Sequence, residues 1–156
     1  CNLWAEKPWM PPISIGGAVT IDKASRGVTT SSFSALRRSL ALMLKEEVTD
    51  RLKAYPDLVG EGPGRIAVKM QRTRWGSCSS LGNLNINLRV VALPDTLREY
   101  IVIHEAAHLR EPNHSARFWR LVGGHYPDHR TAEAELQRYW VILERNFVWG
   151  SLQDAP

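Results

Sequence analysis

The sequence predicts an α+β domain in which a short sheet lies against a buried helix and further helices follow. Three observations predict it: an apolar period of three and four residues over 32–52, alternation at 65–71 and 83–90, and helical periodicity again from 94 to 147. The first helix carries Phe33, Leu36, Leu40, Met43, Leu44, Val48 and Leu52 on one face and ends before Pro56. After the breaker-rich Gly60-Glu61-Gly62-Pro63-Gly64, the strand 65–71 sets Ile66, Val68 and Met70 opposite Arg65, Lys69 and Gln71. A second strand sets Leu84, Ile86, Leu88 and Val90 opposite Asn83, Asn85, Asn87 and Arg89, and a turn at Leu81-Gly82 is expected to fold it back on the first as a hairpin. The next helix opens at Pro94-Asp95-Thr96, with Thr96 and Glu99 at capping-box spacing, and stops at Pro112. Two more helices are expected: one from Ser115 to Val122, closed by Gly123-Gly124, and one from near Asp128 with Leu136, Tyr139, Trp140, Leu143 and Phe147 on a stripe.

The chain of 156 residues is 44% apolar and 23% charged, the balance of one soluble domain. At this length roughly two thirds of the unfolded surface is buried on folding, so no disulfide or metal is needed to hold the core. A metal, if held, would serve chemistry. Residues 1–30, rich in Pro and Gly with Trp4, Trp9 and Met10 among them, read as an N-terminal arm. Residues 31–148 read as the domain and 149–156 as a C-terminal tail. Cys1 and Cys78 cannot build a disulfide framework, and a reducing cytoplasm is the expected setting. Because the chain opens on Cys1, a processed form or mature lipoprotein is the alternative. No run reaches the ~18–20 apolar residues of a membrane span, so membrane insertion is not expected. The formal charge of +4 is mild, and the fifteen arginines are scattered.

The buried helix contains His104-Glu105-Ala106-Ala107-His108, an H-E-x-x-H sequence. Residues four apart differ by about 40° around a helix, so both imidazoles can bind one metal, and zinc suits them. Glu105 lies about 100° away, beside the metal, where it can take a proton from a metal-bound water. With five His and ten Glu in the chain, chance produces this pattern in only about 1% of such sequences. Catalytic zinc takes three protein ligands and leaves one position open. His114 is the first choice for the third, because Glu111-Pro112-Asn113 turns the chain back after His108. Glu133, Glu135, His125 and His129 are the runners-up, and Glu111 occupies the position that is glycine in metzincin proteases.

Four motifs in order carry a resemblance: Arg74-Trp75-Gly76-Ser77-Cys78-Ser79, Gly82-Asn83-Leu84-Asn85-Ile86-Asn87-Leu88, the helix Tyr100 to Leu109, and Asn113-His114-Ser115-Ala116-Arg117-Phe118-Trp119. Over about residues 34–146 the chain resembles the YgjP-like metallopeptidases, which are related to the SprT and WLM zinc proteases. The arm has no recognised counterpart, and the family's longer β-rich N-terminal portion is expected to be absent or shortened. The resemblance implies a small zincin-like fold, zinc ligands at His104, His108 and His114, and Glu105 as general base.

The expected activity is zinc-dependent endopeptidase cleavage of a protein or peptide. The substrate is expected to lie extended along a free strand edge, with 83–89 the candidate. Arg74, His125 and Tyr126 are candidates to stabilise an oxyanion. Trp75 reads as a core or rim aromatic and Cys78 as a small buried residue. Phe118 and Trp119 read as helix packing, with Trp119 a candidate buttress for His114. Cys1 is a candidate for a removable blocking ligand if the arm folds over the cleft. Two alternatives stand beside this reading. One is a nucleic-acid-associated module, or protease of DNA-linked proteins, using Arg65, Lys69, Arg72 and Arg74 on phosphates. The other is a metal-dependent hydrolase of a non-peptide bond.

Overall fold

The computed structural model describes residues 30–155, so the expected arm, with Cys1 and its tryptophans, lies outside the described residues. Helix α1 (Thr30–Leu52) buries Leu40, Leu44, Val48 and Leu52, a four-residue stripe along one face. Met43, expected on that face, is largely exposed. The short α2 (Pro56–Val59) drives Leu58 into the core. Strands β1 (Arg65–Lys69), β2 (Gly76–Cys78) and β3 (Asn83–Asn87) form one sheet in the order β1-β3-β2. Then follow a 3-10 turn (Leu88–Ala92), α3 (Asp95–Ala107), α4 (Ala116–His125), α5 (His129–Glu144) and α6 (Phe147–Asp154). The chain is thus α+β, as the periodicities predict.

The sheet is not the simple hairpin expected. Leu81-Gly82 does sit in a tight turn, with Gly82 at φ 73°, but the turn joins β2 to β3, and β1 pairs with β3 in parallel, Arg65 opposite Asn83. Asn87 accounts for the arrangement. Its amide Nδ2 donates to the carbonyls of Gln71 (2.9 Å) and Arg74 (2.8 Å), and its backbone N–H donates to Trp75 (2.7 Å), so it holds the connection from β1 to β2. Asn87 is therefore fully buried, not on a solvent face, because that connection covers it. The second strand also ends early: Arg89 lies in the 3-10 turn, buried, with its guanidinium 4.5 Å from the ring centre of Trp140.

Leu84 and Ile86 pack with Leu97, Tyr100, Ile101, Ile103 and Ala107 of α3, so this helix is the centre of the core. Its N-terminus is held from the side. Arg51 of α1 pairs with Glu47 (2.9 Å), Asp95 and Glu99, and Arg98 reaches Glu47 at 3.0 Å. Glu99 also accepts from Tyr55, so the expected Thr96–Glu99 capping box does not form; Pro94 occupies the N-cap without a side-chain hydrogen bond. Burial alone would lower the Arg51 pKa, but these carboxylates raise it.

Later boundaries also differ from expectation. The Gly123-Gly124 pair does not stop α4, which runs on to His125 with the His129 ring against Gly123. Phe147 does not continue the α5 stripe; Asn146 caps a new helix there, accepting from the N–H groups of Val148 and Trp149, and Phe147 is exposed. Residues 149–154, expected as part of a tail, belong to α6. Leu152 is buried against Leu40 and Leu88, Gln153 accepts from Arg89 (2.7 Å), and Arg37 donates to the Ala155 carbonyl (2.6 Å). Leu152→Ala should therefore cost about 2–4 kcal/mol of stability in urea unfolding, as a core truncation does. A residue in a loose tail would change stability by no more than about 0.5 kcal/mol.

Candidate metal centre and its cleft

Helix α3 presents His104 in its last turn and His108 at its C-cap, which keeps helical dihedrals (φ −66°, ψ −17°). The chain then turns through 108–115. Glu111 N–H closes onto the Ala107 carbonyl, Arg117 pairs with Glu111 at 3.1 Å, and the Ser115 hydroxyl caps α4 by accepting from Phe118 N–H. This turn brings His114 back. Its Nε2 lies 3.1 Å from that of His104 and 3.0 Å from that of His108, and the three donor atoms fall within 4.8 Å of one another. Phe118, fully buried, lies beneath all three rings, stacked on His108 at 4.4 Å and edge-on to His104 and His114. Trp119 stacks on His114 at 5.6 Å, the buttress role considered for it.

The outer nitrogens fix the tautomers. His108 Nδ1 donates to the Glu111 carbonyl at 3.0 Å, which leaves a lone pair on Nε2. Tyr100 donates to Glu133 at 2.6 Å, so its oxygen accepts from His104 Nδ1 at 3.2 Å, and His104 Nε2 is likewise a lone pair. One proton on His114 could satisfy only one of these neighbours. Convergent lone pairs repel unless a cation lies among them, and a tetrahedral ion at ~2.0–2.1 Å from each nitrogen sets them about 3.3 Å apart, close to what is seen. The donor set fits a metal ion. Burial, with His108 and His114 adding to it, pushes His104 down to about 3, so it is neutral and able to bind. Burial also lowers His108.

Glu105 is buried beside the triad, and its Oε2 has no hydrogen-bond partner among the described residues. Burial raises its pKa to about 8, against a lowering by Arg74. A cation at the triad would favour the ionised form. The carboxyl group lies directly on Gly76 of β2, where a Cβ would come within 2.6 Å of Oε1. Any side chain at 76 would force the Glu105 carboxyl group to move.

These groups share an open cleft of about 470 Å³. Its lining includes Arg74, Trp75, Gly76, Ser77 and Cys78 on one side and Tyr100, the three histidines, Glu105 and Glu133 on the other. Cys78 is half-buried in this wall and not in the core; burial, then Glu105, raises its thiol pKa. Trp75 packs edge-on against Trp140 at 4.9 Å. The edge beside α3 belongs to β2, since β3 is paired on both sides, which corrects the expected substrate strand at 83–89.

The other candidates lie apart from the three nitrogens. Glu133 reaches only the far side of His104, 3.7 Å from Nδ1. His129 stacks on Trp119, His125 pairs with Asp57 at 2.8 Å, and Glu135 is exposed outside the cleft. Of the oxyanion candidates, Arg74 lines the cleft, whereas Tyr126 packs behind Tyr100. Arg65, Lys69 and Arg72 are exposed on β1 and the loop after it. Sequence reasoning missed Tyr100 and Gly76. Tyr100 stands four residues before His104, a spacing that puts both on one helix face, whereas nothing local marks Gly76.

A three-stranded sheet against a helix that delivers two histidines and a buried glutamate to one cleft, with a third histidine returning from the next turn, is the architecture of a metallopeptidase. Residues 16–139 match the YgjP-like metallopeptidase domain, and the chain belongs to that family. The crystal structure of the metallopeptidase zymogen abylysin from Pyrococcus abyssi is similar, at 29% identity and a TM-score of 0.51, covering 64% of this chain and 97% of that one. No curated protein matches. Among the described residues, no helix is long and apolar enough to cross a membrane.

Two outcomes are expected. Tyr100→Phe removes the acceptor of His104 Nδ1 and should weaken metal affinity about 10- to 100-fold in a competition titration against a chelating dye. In metal-free protein, the folded Glu105 value of about 8 lies above its ordinary 4.5, so the native state keeps the proton longer and loses stability as pH rises between the two. The melting temperature of Glu105→Gln should therefore gain on wild type from about pH 4.5 to about pH 8 and then stay level. A gap independent of pH would contradict the burial of an ionisable carboxyl group.

Proposed function

We propose that the protein is a zinc-dependent endopeptidase in which His104, His108 and His114 hold the metal and Glu105 is the general base. The observation that carries this reading is the convergence of three imidazole Nε2 atoms, two with lone pairs fixed by outer hydrogen bonds, beside a buried carboxyl group. Zinc, when bound, supplies a Lewis acid that polarises the scissile carbonyl and lowers the pKa of a water it holds to about 7. Glu105 Oε2, free of other partners, accepts the proton of the attacking water and returns it to the leaving amine. His108 and His104 keep their Nε2 lone pairs turned to the metal, held by the Glu111 carbonyl and by the Tyr100–Glu133 pair respectively. Arg74, which lines the cleft and has no acidic side chain bonded to it among the described residues, is the group best situated to steady the carbonyl oxygen as charge develops. An extended substrate pairs with the edge of β2 at Gly76–Cys78, which is unpaired among the described residues, and this brings its backbone past Glu105.

Glu105→Gln should retain about one zinc per chain by elemental mass spectrometry while cleavage of a denatured protein substrate falls at least about 10²-fold. His108→Ala should lose both metal and cleavage. Wild-type turnover in the Glu105→Gln variant would remove Glu105 from the mechanism, and a zinc-free wild type after loading with excess zinc would remove the metal site.

A further inference from the structure

Beside the cleft lies a second groove, of about 600 Å³, lined by Ala116, Trp119, Arg120, His129, Arg130 and Glu133. We propose that it is a specificity subsite that receives an acidic side chain of the peptide substrate adjacent to the scissile bond. The proposal rests on the peptidase reading above and deepens it.

The groove adjoins the cleft. Glu133 lines both, and Trp119 of the groove stacks on His114 of the cleft at 5.6 Å and on His129 at 5.3 Å. A side chain entering it would leave the substrate backbone beside the three imidazoles. Its charge is positive. Arg120 comes from α4 and Arg130 from the first turn of α5, and neither guanidinium is bonded to an acidic side chain among the described residues. The one carboxylate in the groove, Glu133, already accepts from Tyr100 at 2.6 Å and faces His104 Nδ1 at 3.7 Å. Buried His129 Nδ1 also has no hydrogen-bond partner among the described residues. The amino end of the 16-residue α5 adds its partial positive charge.

Two guanidiniums offer the planar donor pairs that a carboxylate accepts, and the Trp119 face suits the methylenes of a glutamate. One compact, open cationic patch, with the Glu133 carboxylate on the side shared with the cleft, matches a single substrate charge. A nucleic-acid backbone needs cations that track along a strand, which favours the peptide.

The test uses the zinc-loaded protein and a fluorogenic peptide that it cleaves, with Glu, Gln or Lys placed in turn at each position flanking the scissile bond. At one position Glu should exceed Gln about fivefold or more in kcat/KM, mainly through KM, and the preference should shrink as salt is raised. Arg120→Gln and Arg130→Gln should each lower that Glu-to-Gln ratio, and Arg130→Glu should turn it toward Lys. Zinc content and melting temperature, measured alongside, identify any variant that is merely unfolded. Cleavage with a ratio near one at every position, or a ratio unchanged in the arginine variants, would overturn the subsite while leaving the peptidase. No cleavage of any peptide by the zinc-loaded wild type would overturn both. A single-stranded oligonucleotide that binds through Arg120 and Arg130, without a Glu preference in cleavage, would also overturn the proposal and assign the groove to phosphates.

Discussion

The contact between Glu105 and Gly76 is the constraint on which the site depends. A carboxyl group in the last turn of a buried helix lies on the backbone of an edge strand, closer than a Cβ would allow without its moving. Glycine at this point permits β2 to approach α3, and the approach takes Glu105 out of water and raises its pKa. It also sets the edge of β2, unpaired among the described residues, alongside the histidines. The buried carboxyl group and the strand edge are thereby held by one contact between a helix and a strand.

The third imidazole depends on a different device. A tight turn after α3 reverses the chain, and three local interactions secure it: the Glu111 carbonyl on His108, the Arg117–Glu111 pair, and the Ser115 cap. Beneath it Phe118 fills the space under all three rings. Glu111 closes the turn with its N–H on the Ala107 carbonyl and sets the tautomer of His108 with its own carbonyl, so one residue both shapes the loop and prepares the nitrogen. On the other side, Tyr100 and Glu133 do for His104 what the backbone does for His108, and this ties α5 to the centre.

The misread elements have a common cause. Alternation finds strands but not their partners, so the sheet read as one hairpin while a three-residue strand, too short to show a period, carried the real turn. Asn87 and Arg89 alternate as surface residues would, yet both are buried, because the chain that covers them comes from distant positions. Glu99 looked like a capping residue and is instead claimed by Arg51 and Tyr55. In each case a tertiary partner overrode a local preference.

The sequence by itself determined what short spacing controls. It established four of the six helices, the α+β class, the presence of His104 and His108 on one face with Glu105 beside it, and the turn that leads to His114, because helical geometry and proline punctuation act within a few residues. Tertiary structure alone decided the strand order, the edge that faces the cleft, the need for glycine at 76, the outer partners that orient the imidazoles, and the cationic groove beside them. Those features join residues tens of positions apart, and whether such groups meet is settled by packing, which leaves no period in the chain.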